Sequence, residues 1–422
     1  MSVIFGLDFG TTNSALSVSY GGKTEVIDIG EYNENGKTLR SVLYFDEERN
    51  VFVGQEAINQ YIHNMATGRF MQSIKSFLPS KQFDYTYING KRYELEDLIA
   101  IILRRIKEKG EKYVGQKVTK IVMGRPVVFS EDKEKDTLAQ ERLRSAAIKV
   151  GFKEIFFQFE PVAAALSFRE TLKSEEEKIV LIGDFGGGTS DFTAIKLKGG
   201  LSASLIRSSE ILSLGGVYIG GDKFDSELMW RKISKYFGRN VSFKSMTNQN
   251  LPMPTAIIGK LKQWHLIPQL RDRKIIEQMG QIRQTADNKG AVSNLINLIE
   301  DNFGFILFQS IEKAKIELSS LKKSRIVFSE RNLKIKEDIT REEFDSIIYA
   351  DAKKIKDCIN KVLSDASLME GDVDIVFLTG GSSRVPLIRK IFTDKFSDDK
   401  IREMDAFTSV VYGLGLSSKM YF

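Results

Sequence analysis

Residues 178–192 read KIVLIGDFGGGTSDF, and residues 2–14 read SVIFGLDFGTTNS. Each starts as an apolar run of strand character, reaches an Asp, turns through glycine and threonine, and enters a second apolar stretch. Asp8 and Asp184 head the two copies, so the echo divides the 422-residue chain into comparable halves. A duplicated strand, turn and strand unit at that spacing predicts two lobes.

The rest of the chain alternates strands with helices. SVLYF, KIVMG, IFFQF, FTAIKL and DIVFLTG read as strands, and the periodicity predicts helices over 94–112, 132–151, 161–172, 221–238, 293–320, 341–364 and 405–419. Thr340 and Glu343 form a capping box that opens the helix at 341, because hydroxyl and carboxylate satisfy two orphan backbone donors reciprocally. The fold class is α/β.

Composition removes several function classes. Cys358 is the single cysteine, which permits neither an intramolecular disulfide nor a cysteine metal cluster and makes a reducing cytoplasmic compartment the expectation. With only His63 and His265, a multi-histidine metal site or a Ser-His-Asp hydrolase has little material. The opening MSVIFGLDFG has no basic segment and is interrupted by Asp8, so it reads as a strand rather than a signal peptide. The longest apolar runs, LIAIIL and FGFILF, are far short of the ~18–20 residues that span a bilayer, so a soluble protein with no membrane partner is expected.

A strand ending in Asp before Gly-Thr or Gly-Gly-Gly-Thr has a direct physical reading. Glycines lack Cβ atoms, so consecutive N–H groups can converge on a phosphate while Thr hydroxyls add donors. The Asp at the strand end can organise a hard divalent cation through its water shell. One such loop could be only a turn; two in chain symmetry point to phosphate. A third loop, FLTGGSSRVP at 377–386, ends a strand in paired glycines and starts a helix, with Ser383 expected as its N-cap. In FEPVAAALSF, Glu160 and Pro161 open an Ala-rich helix whose small residues permit close packing.

Taken in order along the chain, GLDFGTTNS, FEPVAAALSF, GDFGGGTSDF, IGGDKFD, EKAKIELSS and GGSSRVP resemble the ATPase domain of the seventy-kilodalton heat-shock chaperones, the DnaK type, within the actin-like ATPase superfamily. The resemblance runs from Gly6 to Pro386. It implies a two-lobed, ribonuclease-H-like α/β fold with ATP or ADP and Mg²⁺ in the cleft. The first lobe would hold residues 1–173 and 402–422, and the second 174–401, with a basic, mainly helical tip around 222–320.

The resemblance also implies roles. Asp8, Gly10, Thr11, Thr12 and Asn13 would form the first phosphate loop, and Asp184, Gly186, Gly187, Gly188, Thr189 and Asp191 the second. Lys75, in MQSIKSFLP, matches the family's catalytic lysine, and Glu160 its metal-shell glutamate. Asp8, Glu160 and Asp184 would hold Mg²⁺ mainly through water. Gly220 and Gly221 would lie by phosphates and ribose, and Glu312, Lys315 and Ser319 would face the nucleoside. Gly380, Gly381, Ser382 and Arg384 would flank adenine and the α- and β-phosphates. The implied reaction is in-line attack of water on the γ-phosphate, with Lys75 orienting the water, Thr189 in the catalytic loop and Asp191 accepting the proton.

Several positions depart from the family pattern. Ile316 stands where an arginine would stack on adenine, Gln140 replaces an arginine with Arg142 and Arg144 close by, and Phe407 replaces an aspartate expected at the cleft. After the helix expected to cross back to the first lobe comes Phe422, with no acidic-leucine linker or β-rich peptide-binding domain, a pattern resembling the shorter YegD-like branch. The expected function is therefore a chaperone-like protein that binds and slowly hydrolyses ATP, its lobes moving with nucleotide and its client or exchange partner unknown. An actin-like filament protein and a small-molecule kinase of the same superfamily are the alternatives. Against the first stand GTTNS, the Lys75 segment and GGSSRVP; for the second no acceptor is identifiable.

Trp230 and Trp264 read as packing residues, His63 and His265 as structural or solvated, and RRIKEKGEK at 104–112 as the wet face of a helix. The net charge of +6 is unevenly spread: residues 231–290 carry twelve Lys or Arg against Asp272, Glu277 and Asp287. An acidic partner could dock on that segment, though solvated helical surface is the simpler reading, and nucleic acid is not expected.

Overall fold

The computed structural model describes residues 2–30, 36–64, 67–173, 176–199, 210–245, 247–403 and 408–422, so Phe407 lies outside the described residues. The architecture is α/β and two-lobed. In the first large sheet the order is Glu154–Phe159, Lys120–Arg125, Ile4–Phe9, Asn13–Tyr20, Lys23–Ile27. In the second it is Ile401–Glu403, Ile375–Thr379, Glu177–Phe185, Ser190–Lys198, Ile211–Val217. Each central strand has parallel neighbours on one side and an antiparallel hairpin partner on the other. The echo between residues 2–14 and 178–192 is thus a duplicated topology. Asp8 and Asp184 occupy equivalent places near the carboxyl ends of the two central strands.

Two helices lie between the sheets. Glu160–Arg169 follows a strand of the first sheet and packs on the second; Ser409–Tyr421 comes after a strand of the second and packs on the first. Every residue of Glu160–Arg169 is buried, and between Glu160 and Ser167 its sequence is only Pro, Val, Ala and Leu, with no polar stripe. Where the helices cross, a Cβ added to Gly413 would stand 1.7 Å from the Ala163 carbonyl oxygen. The second helix also seats on the first sheet, with Ser17 Oγ donating to the Val411 carbonyl at 2.6 Å and Ser19 Oγ to that of Gly415 at 2.8 Å.

Residues 42–64 and 67–70 pack across the cleft against the helical tip that includes Trp264, Asn302 and Phe305. Tyr61 Oη donates to the Asn302 carbonyl at 2.7 Å, and Phe70 meets Phe305 and Trp264 with ring centroids 4.4 and 5.9 Å apart. Trp264 therefore packs across the cleft, while His63 is exposed at the end of helix Gln55–His63. The basic segment is mainly helical, with two three-residue strands. Part of its charge is met from outside: Lys232 and Lys235 pair with Glu337, and Lys232 also with Glu343. Arg239 and Lys262 lie over the Trp230 ring.

Three sequence expectations need correction. The helix expected over 293–320 is two, Lys289–Glu300 and Gly304–Ser320, because Asn302 takes a left-handed φ of 56°. The helix expected over 221–238 is α only to Leu228, continuing through a π turn and a 3₁₀ turn to Phe237. Ser383 is not an N-cap, since its hydroxyl donates back to the Gly380 carbonyl and the following helix begins at Pro386. The capping box at Thr340 and Glu343 forms as read. Among the described residues no helix is long and apolar enough to cross a membrane.

The helix crossing leaves no room for a methyl group. Gly413→Ala should lower unfolding free energy by about 1–3 kcal/mol or more. Gly371→Ala, at an exposed turn where an added Cβ meets nothing within 4 Å, should be near neutral. Urea denaturation of the two variants checks the difference.

Candidate functional site

The two central strands deliver their turns to one cleft. A cavity of about 300 Å³ there is lined by both glycine-rich turns, by Lys75, by the start of helix Glu160–Arg169 and by the third glycine turn at 380–382. The turns approach closely: a Cβ on Gly187 would stand 2.7 Å from Thr12 Oγ1, and one on Gly188 3.3 Å from Thr11 Oγ1. Gly380 has φ 85° and would meet the Phe185 carbonyl at 2.1 Å, so both its conformation and its space require glycine.

Of the predicted site residues, Asp8, Gly10, Thr11, Thr12, Asn13, Lys75, Glu160, Asp184, Gly186, Gly187, Gly188 and Thr189 line this cavity. Gly221, Glu312, Lys315, Ser319, Gly380, Gly381 and Ser382 line it as well, together with Ile316. Helix Gly304–Ser320 presents Glu312, Lys315 and Ser319 because spacings of three and four fall on one face. Gly220 stands behind the second turn, where a Cβ would meet the Gly187 carbonyl at 2.4 Å. Arg384 and Asp191 do not line the cavity. Asp191 pairs in register with Asp184 on the neighbouring strand, is buried, and accepts from the Val127 N–H at 2.8 Å and from the Thr189 hydroxyl.

The floor of the cavity concentrates negative charge. Lys75 Nζ donates to Glu160 Oε1 at 2.8 Å, both side chains about nine-tenths buried. Asp8, Asp184 and Asp191 surround this pair. Burial and then Glu160 push Asp8 up to about 7, with Lys75 opposing. Burial and then Glu160 push Asp191 up to about 7 as well, opposed by its hydrogen bonds from Thr189 and Val127 and by Lys75. Asp184 is raised well above the usual carboxylate range by burial, then by Glu160, Asp8 and Asp191. Burial disfavours the Lys75 ammonium, yet Glu160 and Asp8 outweigh it and hold its pKa above normal. Four carboxylates sharing one ammonium leave excess negative charge, which suits a hard divalent cation with oxygen ligands. Among the described residues no three His, Cys, Asp or Glu side chains converge closely enough to ligate a metal directly, so such an ion would keep most of its waters.

Sequence reasoning missed what holds Lys75 in place. Lys75 sits on the 3₁₀ turn Ile74–Phe77, preceded by Ser73 at a left-handed φ of 54°. Buried Arg142 grips the exit of that turn. Its guanidinium donates to the carbonyls of Leu78, Ser80 and Phe83 at 3.1, 2.8 and 3.1 Å, and meets Asp84 and Glu96. Gln140, noted as a departure, accepts from Arg125 at 2.7 Å. Also missed were Asp222 and Asp225, although IGGDKFD contained them three apart on one helix face. Asp225 pairs with Lys315 at 2.7 Å, and Asp222 accepts from Ser73 Oγ at 3.3 Å across the cleft. Burial raises Asp222 to about 6 and Asp225 to about 7, with Lys315 opposing in both.

Two sheets of like topology meeting at facing glycine turns over a carboxylate and lysine floor define a two-lobed protein of actin-like ATPase type. A family model described as "Hsp70 protein" matches residues 4–253 and 297–421. The chain belongs to the Hsp70 family. It is similar to the chaperone protein DnaK of Nitrosopumilus maritimus, 26% identical over 99% of this chain and 56% of that protein. It is likewise similar to DnaK of Thermosipho africanus, 26% identical over 98% of this chain and 58% of that protein. The chain thus spans well under two thirds of the length of these relatives.

Two predictions follow from the charge and from the clamp. In metal-free, nucleotide-free protein, Asp8 binds a proton more tightly folded than unfolded. Its contribution to stability is therefore present near pH 4 and is lost as pH rises through about 7. Asp8→Asn should flatten that part of the pH dependence of urea unfolding, and Mg²⁺ should stabilise wild type more at pH 8 than at pH 5. For the clamp, Arg142→Met leaves buried carbonyls without donors and should cost about 3 kcal/mol. Amide exchange at Ser76 and Leu78, which donate to the Ser73 and Lys75 carbonyls, should accelerate ahead of global unfolding.

Proposed function

We propose that this chain binds ATP with Mg²⁺ in the cleft, hydrolyses it slowly to ADP and phosphate, and changes its lobe separation with the nucleotide, serving a chaperone-like role toward a protein client. The observation that carries this reading is the meeting of Thr11 and Thr12 with Gly187 and Gly188, in the same cavity that the Lys75 and Glu160 pair lines. Backbone N–H groups of both turns would hold the terminal phosphates, one turn from each lobe. Glu312, Lys315 and Ser319 would receive the nucleoside, with Ile316 giving apolar contact in place of a stacked cation. Asp8, Glu160 and Asp184 would hold Mg²⁺ mainly through water, and its charge would neutralise that developing on the β- and γ-oxygens.

In the hydrolytic step the residues of the chain mainly position. Lys75, fixed between Glu160 and the turn clamped by Arg142, would orient the attacking water and offset charge on the γ-phosphoryl group. Thr189 would contact that group from the opposite turn. Asp191 is buried behind Thr189 and holds its hydroxyl, so we assign it to positioning rather than to direct proton acceptance. A nucleotide-driven change needs contacts that differ between ATP and ADP, and the γ-phosphate would supply them if held by both turns.

Lys75→Ala should leave ATP affinity within about twofold while single-turnover hydrolysis falls at least about 100-fold. Unchanged hydrolysis in a quenched-flow assay would remove Lys75 from the mechanism. Small-angle scattering with ATP and with ADP should give different profiles, and identical ones would refute lobe movement.

A further inference from the structure

A second cavity of about 200 Å³ adjoins the first and shares Thr12, Ser76, Gly188, Tyr218, Asp222 and Glu312 with it. Its wall is aromatic: Trp264, Phe305 and Phe308, with His265 beside them. Gln72 and Ser73 line it from the first lobe, so it touches both sides of the cleft. Its polar residues include three carboxylates, Asp222, Asp225 and Glu312. Asp225 is nine-tenths buried, and while its Oδ2 meets Lys315, its Oδ1 has no hydrogen-bond partner among the described residues. An unpartnered carboxylate oxygen at that depth is costly, so a donor supplied from outside would be favoured.

The charge on the lining is mainly negative. Lys315, which lines the first cavity, neutralises part of Asp225, and Lys223, which lines the second, has its ammonium on Glu227, so three carboxylates outnumber the cations that meet them. Burial pushes His265 down to about 4, so at neutral pH it adds no charge. Carboxylates and aromatic rings lining one cavity are the combination that recognises an organic cation, through charge-assisted hydrogen bonds and cation–π attraction. The volume is below the roughly 300–1,000 Å³ of drug-sized pockets, which limits the occupant to a small molecule. Gln263, Trp264 and His265 fall within residues 254–296, between the two stretches matched by the Hsp70 model.

We propose that this second cavity binds a small organic ammonium compound, its charged end on the Asp222 and Asp225 side and its flat apolar body against Trp264, Phe305 and Phe308. The site is separate from the nucleotide cavity though it shares a wall with it, and it does not depend on hydrolysis. Such a ligand would contact residues of both lobes and favour the arrangement in which they are close.

Calorimetric titration with tryptamine, and with tryptophol as the isostere carrying hydroxyl in place of amine, tests this in the full chain with and without saturating ADP and Mg²⁺. Tryptamine should bind in both conditions, at least about tenfold more tightly than tryptophol. Gln309→Trp, which fills the cavity from helix Gly304–Ser320, should abolish tryptamine binding while ADP affinity stays within about twofold. Ser226→Tyr provides a second filling variant should the first fail to fold. Lack of tryptamine binding at millimolar concentration, equal affinity for tryptophol, outright competition with ADP, or full binding by a folded cavity-filled variant would each overturn the proposal.

Discussion

Gly413 against the Ala163 carbonyl sets the spacing on which the site depends. Each of the two helices that cross there is joined to one sheet and packed on the other, so their separation fixes how far apart the sheets stand. That distance in turn sets whether Thr12 can face Gly187 across the cleft. A side chain at the crossing would wedge the sheets apart and misplace turns that need closeness within an ångström. The serine hydroxyls at 17 and 19, donating to carbonyls of the crossing helix, prevent it from sliding along the first sheet. Close packing of small residues here serves geometry as much as stability.

The floor of the cleft is built against its own electrostatics. Buried ion pairs gain little net stability, and a cluster with surplus carboxylates gains less. Lys75 with Glu160 is therefore best understood as a positioned group rather than a stabilising one, and the structure invests elsewhere to hold it. Arg142 is that investment: one guanidinium, five donors, and a bend of backbone whose carbonyls converge on it. The cost of the charge cluster is offset by the surrounding apolar framework, in which strands such as Glu177–Phe185 and Ile375–Thr379 are buried along most of their length.

Much of this was legible in the sequence, for a physical reason. Turns that must admit close backbone approach need glycine, and strand ends that organise cations need Asp, so function and residue type are tightly coupled there. The Asp8 and Asp184 echo reported the duplicated sheets, and the EKAKIELSS helix reported its lining face. Arg142 was not legible, because its partners are carbonyl oxygens at 78, 80 and 83 that carry no side-chain signature. Nor was the break at Asn302, where one left-handed residue splits a continuous apolar pattern. Tyr61 and Phe70 look like ordinary core residues in one dimension; only the fold shows that they reach residues more than 190 positions away.

That aromatic contact across the top of the cleft has a kinetic consequence. If the lobes part as proposed, Tyr61 and Phe70 would have to separate from Trp264 and Phe305, exposing apolar rings to water. A gate closed by rings rather than by ion pairs responds weakly to ionic strength and strongly to temperature, because apolar hydration carries a large heat capacity. Under the proposed movement, the dwell time of a nucleotide below these rings would be set by thermal escape of four side chains, with salt nearly a bystander.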